Sequence, residues 1–235
     1  MNGLYLAASG AASKVEALNI SAHNLANSGT PGFRRFELAP QAVEQAPSPY
    51  QYASVPASPT LDMAQGPLRN SGGPLDVAVV GSGFIRVQTD NGGEAYTRNG
   101  QLEMTQDGAL LAAGQPVMSA SGGTITLPAG PITIAGDGSI SVNGQLTTKI
   151  SIADPQGATL VPIGSSLYGS SSGDPLPEAT DSQLRQGFLE ESGGNPITEA
   201  TNMVSIMRSY ESAINAVHTI DDTQQRAIQT FTLQA

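Results

Sequence analysis

Between Ser21 and Phe33 the chain reads Ser-Ala-His-Asn-Leu-Ala-Asn-Ser-Gly-Thr-Pro-Gly-Phe, and here a helical pattern runs into residues that cannot continue it. Upstream, Leu4, Ala8, Ala11, Val15, Leu18, Ala22 and Leu25 recur at alternating steps of four and three, the period of a helix that buries a narrow seam. Asn27 and Gly29 accept the left-handed conformation that ends a helix, and Pro31 lacks the N–H that another turn would need. The pattern predicts a helix from about Gly3 to Asn27 with Asn2 as its N-cap, roughly 38 Å long at 1.5 Å per residue. Much of the seam is alanine, so a partner can approach closely but little area is buried. Its few large side chains contribute roughly 1.5–3 kcal/mol each, and alone such a helix is marginal.

From Arg34 to Pro74 the pattern disappears. Prolines at 40, 47, 49, 56, 59 and 67 favour extended or irregular backbone, and a connector of about 40 residues is long for a compact domain. From Leu75 the chain alternates as strands do: Leu75, Val77 and Val79, then Phe84 to Val87, and later Ile125 with Leu127, Ile132 with Ile134, Ile140 with Val142 and Ile150 with Ile152. Gly92-Gly93, Asn99-Gly100, Asp107-Gly108, Asp137-Gly138 and Asn143-Gly144 supply hairpin turns, because type I′ turns need positive φ at both central residues. This predicts an antiparallel β domain over 75–190. In the last segment Asn195 suits an N-cap and Pro196 the first helical position. Ile206, Tyr210, Ala213, Val217, Ile220, Ala227 and Phe231 then mark a second helix, its stripe widened by Met203, Met207 and Ile214.

The fold class expected is therefore mainly β with long terminal α-helices, the antiparallel β domain being inserted between N- and C-terminal helices that pair as a coiled-coil-like stalk. Four segments follow: 1–33, helix and turn; 34–74, Pro-rich connector; 75–190, β domain; 191–235, C-terminal helix.

Composition removes several function classes. Net charge is −10, with 20 acidic and 10 basic residues and no basic cluster to neutralise phosphates, which speaks against nucleic acid. Without cysteine there is no disulfide scaffold, thiolate metal site or thiol nucleophile. Nothing reaches the roughly 18 apolar residues of a membrane span, and the Met1–Ser13 stretch lacks the basic start of a signal peptide while sharing the helical seam. His23 and His218 lie in the helical patterns without a catalytic or metal-ligand set beside them. Gly81-x-Gly83 lacks the third glycine of a dinucleotide loop and reads as a bulge or kink. Asp221-Asp222 and Glu190-Glu191 read as surface charge, and Arg98 beside Tyr96 as a cross-strand pair or an anchor at a subunit boundary. No catalytic residue, cofactor, metal or small-molecule substrate is expected.

The two terminal helices have no other apolar surface in the chain to cover them, since the β domain alternates for its own core. They are expected to pair with each other and with neighbouring copies, and an interface that does not close builds a filament or tube.

The run Asn24-Leu-Ala-Asn-x-x-Thr-Pro-Gly-Phe33 behind an N-terminal amphipathic helix resembles the signature of the rod and hook proteins of the bacterial flagellum. Leu75-Asp-Val-Ala-Val-Val-Gly-Ser-Gly-Phe-Ile-Arg-Val, Tyr96-Thr-Arg-Asn-Gly-Gln-Leu and Asp107-Gly-Ala-Leu-Leu look like that family's β-domain opening, and 202–211 with Ile220-Asp221 like its C-terminal helix. The passage from Pro128 to Ser141 is most similar to the proximal-rod type. Gly193-Gly194 and Ala113-Gly114 depart from the family's pattern. The resemblance implies a non-enzymatic subunit of the basal-body rod, the drive shaft that spans the periplasm. Such a subunit would polymerise with copies of itself and neighbouring rod proteins, and leave the cell through the flagellar export apparatus without a cleaved signal. Its assembly interface would comprise Leu4, Val15, Leu18, Asn24, Leu25, Asn27, Thr30, Pro31, Gly32 and Phe33, with Met203, Met207, Tyr210, Ile214, Val217 and Ile220. The alternatives are a distal-rod or hook-like subunit, an exported β domain that binds cell-wall glycan and, more remotely, a serine hydrolase.

Overall fold

A computed structural model describes residues 2–39, 58–164 and 166–232, with side chains for 7–38, 59–164, 166–226 and 229. It divides into two compact units, one of Met1–Ala26, Phe36–Leu61 and Gly194–Ala235, the other of Asn27–Arg35 and Asp62–Gly193.

The first unit is helical. Helix α1 (Asn2–Ala26) packs along α2 (Pro196–Thr232), and the two run antiparallel, Ser21 Oγ near the end of α1 donating to Glu199 Oε2 near the start of α2 at 2.9 Å. The start of α2 follows its sequence: Asn195 Oδ1 accepts the N–H groups of Ile197 (2.9 Å) and Thr198 (3.3 Å), and Pro196 fills the position where a missing N–H costs nothing. Covered or half-covered residues on α2 are Glu199, Met203, Ile206, Ala213, Ile214, Val217 and Ile220, a helical stripe of three- and four-residue steps interrupted at the exposed Tyr210. On α1 they include Ala7, Ala11, Leu18, Ser21 and Leu25, whereas Ala8 and Val15, expected on the seam, are exposed. Ser21, beside the expected seam, is covered, and its hydroxyl supplies the donor that the buried Glu199 needs.

A two-stranded ribbon, Phe36–Ala39 antiparallel to Ser58–Leu61, is tied to α1. Asn24 Nδ2 donates to the Phe36 carbonyl (2.9 Å) and Asn24 Oδ1 accepts the Phe36 N–H (2.8 Å), so the side-chain amide stands in for one residue of a neighbouring strand. His23 meets Phe36 edge-on at 5.3 Å between ring centroids. This corrects the irregular reading of 34–74. That segment contains three strands: Phe36–Ala39 and Ser58–Leu61 pair with each other within it, while Leu68–Asn70 takes its partner, Phe188–Glu190, from the far end of the β unit, pairings that local composition cannot reveal. Four of its prolines, at 40, 47, 49 and 56, lie outside the described residues.

The second unit is antiparallel β. Its central sheet has the order Ile152–Ala153, Phe84–Gln88, Glu94–Thr97, Leu167–Ser170, Leu160–Gly164. Two three-stranded meanders flank it, Leu102–Met104 with Leu110–Ala112 and Gln115–Pro116, and Ile132–Ile134 with Ser139–Val142 and Gln145–Lys149. Val77, Val79, Ile85, Val87, Leu110, Ile140 and Ile150 form one core with the other alternating residues singled out above. The end of the unit returns to its beginning: Gln183–Gln186 pairs with Val77–Val80, and Phe188–Glu190 with Leu68–Asn70.

Four of the five expected turns join paired strands. At Asn143-Gly144 both residues have positive φ, 53° and 79°, and Ala113-Gly114 (49° and 78°) makes a further turn of the same kind. Asn99-Gly100 is the exception. The strands on either side of it pair with others, and Gly100 is a close approach, since a Cβ there would lie 1.6 Å from the Val77 carbonyl oxygen. Gly81-x-Gly83 is the corner at which the chain leaves Val77–Val80 for Phe84–Gln88 in a different sheet.

Replacing the α2 cap, Asn195→Ala, is expected to weaken the start of α2 by about 1 kcal/mol. Faster amide hydrogen exchange at Ile197 and Thr198 in the full chain, with the β unit unchanged, would register it.

Candidate assembly site and its anchor

The residues after α1 form a turn that docks into the β unit. Thr30 N–H donates to the Asn27 carbonyl (3.0 Å) and Phe33 N–H to that of Thr30 (3.2 Å). Gly32 has φ 67°, and a Cβ there would stand 2.2 Å from the carbonyl carbon and oxygen of Arg98, so glycine is required by conformation and by space. Gly32 N–H donates to the Glu190 carbonyl (2.8 Å) and Gly193 N–H to that of Phe33 (3.1 Å), fastening the first segment of this unit to its last.

Beneath the turn lies a buried cluster of charge. Arg34, Arg98 and Glu190 are each about 1% exposed. Glu190 Oε1 accepts from Arg34 Nη1 at 2.8 Å and from Gly66 N–H at 2.8 Å, while Oε2 accepts from Arg98 Nη1 at 3.2 Å. Arg34 Nη1 also donates to the Ala64 carbonyl, and Arg98 Nη2 donates to that of Gly81 at 2.5 Å. The Arg98 guanidinium lies 4.7 Å from the centre of the Phe84 ring, and Phe84 meets Tyr168 edge-on at 5.8 Å. The Tyr168 hydroxyl accepts the Arg34 N–H at 2.9 Å. Two guanidiniums share one carboxylate. Burial, and next the neighbouring Arg34 charge, push the Arg98 pKa down to about 10 against the pull of Glu190. Burial likewise raises the Tyr168 hydroxyl.

One sequence reading is corrected here, and one left between two alternatives is decided. Glu190 is the centre of the unit, not surface charge; only Glu191 behaves so, in a half-exposed pair with Arg69 at 3.1 Å. Arg98 finds its partner inside its own unit. The strand pairing of 188–190 with 68–70 is what brings Glu190 to Arg34 and Arg98, and nothing local in the sequence announces it.

The expected interface residues divide accordingly. Asn27, Thr30, Pro31, Gly32 and Phe33 belong to the β unit, with Gly32 and Phe33 buried. Asn24 is buried against the ribbon, and Leu18, Leu25, Met203, Ile214, Val217 and Ile220 are half-buried in the helical unit. Val15, Met207 and Tyr210 are exposed at 44%, 48% and 37%. The Leu4 side chain lies outside the described residues. Sequence reasoning missed the exposed Ile197 (77%) and Val204 (50%), although their seven-residue spacing was legible.

The features that could mark chemistry do not converge. Among the described residues no group of three His, Asp or Glu side chains is placed to hold a metal, and no helix is long and apolar enough to cross a membrane. What the described residues do present is a β body with a fastened turn and exposed apolar helix faces. Two family models match: the FlgE/F/G D1 domain of flagellar hook proteins over residues 78–148, and the C-terminal region of flagellar basal-body rod FlgEFG proteins over 185–230. The chain is 32% identical over 238 residues to the flagellar basal-body rod protein FlgF of Caulobacter vibrioides, covering 97% of each. It is 30% identical to FlgF of Escherichia coli (99% of each), and 32% identical to the rod protein FlgG of Buchnera aphidicola from Acyrthosiphon pisum, covering 90% of this chain and 93% of that one. The chain belongs to the family of flagellar basal-body rod proteins, as a structural subunit of the FlgF-like type.

Truncating Glu190 to alanine leaves two buried guanidiniums without a counter-charge and is expected to cost about 3–5 kcal/mol in denaturant titration of the full chain. Gly32→Ala should also destabilise the β unit, through strain at φ 67° and the clash with Arg98.

A pH dependence follows from Asp62. Burial raises its pKa, but hydrogen bonds from Arg35 Nε and Ala64 N–H, both 2.9 Å, with the charges of Arg35 and Arg34, outweigh this and hold it below 3.8. With the folded pKa depressed, the stabilisation is complete above the unfolded value and fades as pH falls through the folded one. Asp62→Asn should therefore be less stable than the parent at pH 7, the difference shrinking towards pH 2–3 in thermal melts.

Proposed function

We propose that this chain builds the proximal part of the flagellar basal-body rod, polymerising through α1 and α2 with copies of itself and with neighbouring rod proteins. The two helices pair as a coiled-coil-like stalk within each subunit and complete their cover on others, forming the inner layer of a periplasm-spanning drive shaft. Segments 1–33 and 191–235 carry assembly. The Asn27–Phe33 turn serves it by holding a fixed conformation, and the chain travels through the flagellar export apparatus.

The observation that carries this reading is the apolar surface which the helical unit leaves in water. Val15, Ile197, Val204, Met207 and Tyr210 are all exposed large side chains of the two helices. Each would contribute roughly 1.5–3 kcal/mol if fully buried, enough that several together favour a neighbour. The relatives' names, basal-body rod protein FlgF, support the same assignment.

Deleting residues 2–8 of α1 tests it. The shortened chain is expected to keep β-type circular dichroism and a cooperative melt, yet be missing from isolated basal bodies of a non-motile strain. Recovery of the shortened chain in rods of motile cells would refute assembly through α1. Imaging basal bodies that carry a labelled full-length chain should find the label in the rod near its base; label confined to the distal rod or hook would move the assignment there.

A further inference from the structure

Each terminal helix carries a second, outward stripe. On α1, Ala8, Ala12, Val15 and Asn19 are exposed at steps of four, three and four, and Ala26 continues the line one heptad beyond Asn19. On α2, Ile197, Ala200, Val204 and Met207 are exposed at steps of three, four and three. Pro196, Ile197, Ala200, Thr201 and Val204 line a shallow hollow of about 510 Å³. At about 100° per residue, the outward stripe lies roughly 100° round α1, and roughly 130° round α2, from the stripe that faces the in-chain partner. Each helix therefore has two faces, and the outward one is mostly small on α1 and projecting on α2.

We infer that the outward stripe of α2 docks antiparallel on the outward stripe of α1 from a second copy of this chain. This rests on the reading of the chain as a polymerising rod subunit. Small residues on α1 let a helix approach closely, and Ile197, Val204 and Met207 supply the projecting side chains. Charge selects the direction. Glu16 and Arg208 are exposed, each one residue past an outward position and about 60° round its helix from the stripe, on the same side. Only antiparallel docking brings them to one flank, and their meeting sets the register: Asn19 opposite Val204 and Ala26 opposite Ile197. Because two different surfaces are used, each copy offers one to its predecessor and one to its successor, and the contact repeats without using itself up.

The chain contains no cysteine, so introduced thiols report alone. Full-length Asn19→Cys and Val204→Cys chains are produced together in a strain lacking the native copy, and its basal bodies are isolated and treated with a short bismaleimide. A cross-linked dimer is expected from the mixture and not from either variant by itself. Both variants present in the rods without a mixed dimer would overturn the docking while leaving the rod assignment intact; absence of the unmodified chain from rods would remove that assignment and this inference with it. As a second measurement, Glu16→Arg should reduce motility and Glu16→Arg with Arg208→Glu should restore it. Failure of the reversed pair to restore motility, with both chains exported and folded, would refute the proposed register.

Discussion

The Glu190 carboxylate, held between the guanidiniums of Arg34 and Arg98, is the interaction on which the rest of the β unit depends. It reaches four places far apart in the chain: the segment after the turn through Arg34, the return strand through its own backbone, the Gly66 amide, and the corner near Gly81 through Arg98. Such a cluster is not cheap. Three charges leave water, and the desolvation cost can exceed their mutual attraction. What the carboxylate provides that leucine would not is direction, since its oxygens accept only from donors at defined positions. The turn above it needs that definition, with Gly32 pressed on the Arg98 backbone at a distance no other residue tolerates.

The helical unit is built on the opposite principle. Its buried seam has little area and one polar pair, Ser21 with Glu199, whose carboxylate also lies in the first turn of α2 where the helix dipole favours negative charge. Its remaining apolar residues look outward. A unit of this kind is marginal by itself and gains stability with each neighbour that covers another face. The β unit, with a continuous core from Val77 to Leu184, has no such dependence.

Division of labour between the two units also accounts for the composition. Low charge, abundant glycine and few aromatics are what a chain needs when half of it turns sharply between short strands and the rest packs small residues against other helices. The turn signature Asn24 to Phe33 is divided too. Asn24 pairs with the Phe36 backbone in the helical unit, while Gly32 and Phe33 are consumed by the β unit.

The sequence by itself determined the elements. Period and caps gave α1, α2 and the start at Asn195, and alternation with glycine turns gave the β unit and nearly all of its core, because helix period, strand alternation and positive φ are local properties written in neighbouring residues. Tertiary structure alone decided the rest. Ser21 faces inward, where it supplies a donor to Glu199; Gly100 is a close approach because Val77 lies against it; the strands at 36–39 and 58–61 form by pairing with each other across the segment between them, and that at 68–70 by pairing with 188–190. Glu190 looked like one more surface acid until a strand pairing across more than a hundred residues set it between two arginines, and no local pattern encodes a contact whose partners are so far apart along the chain.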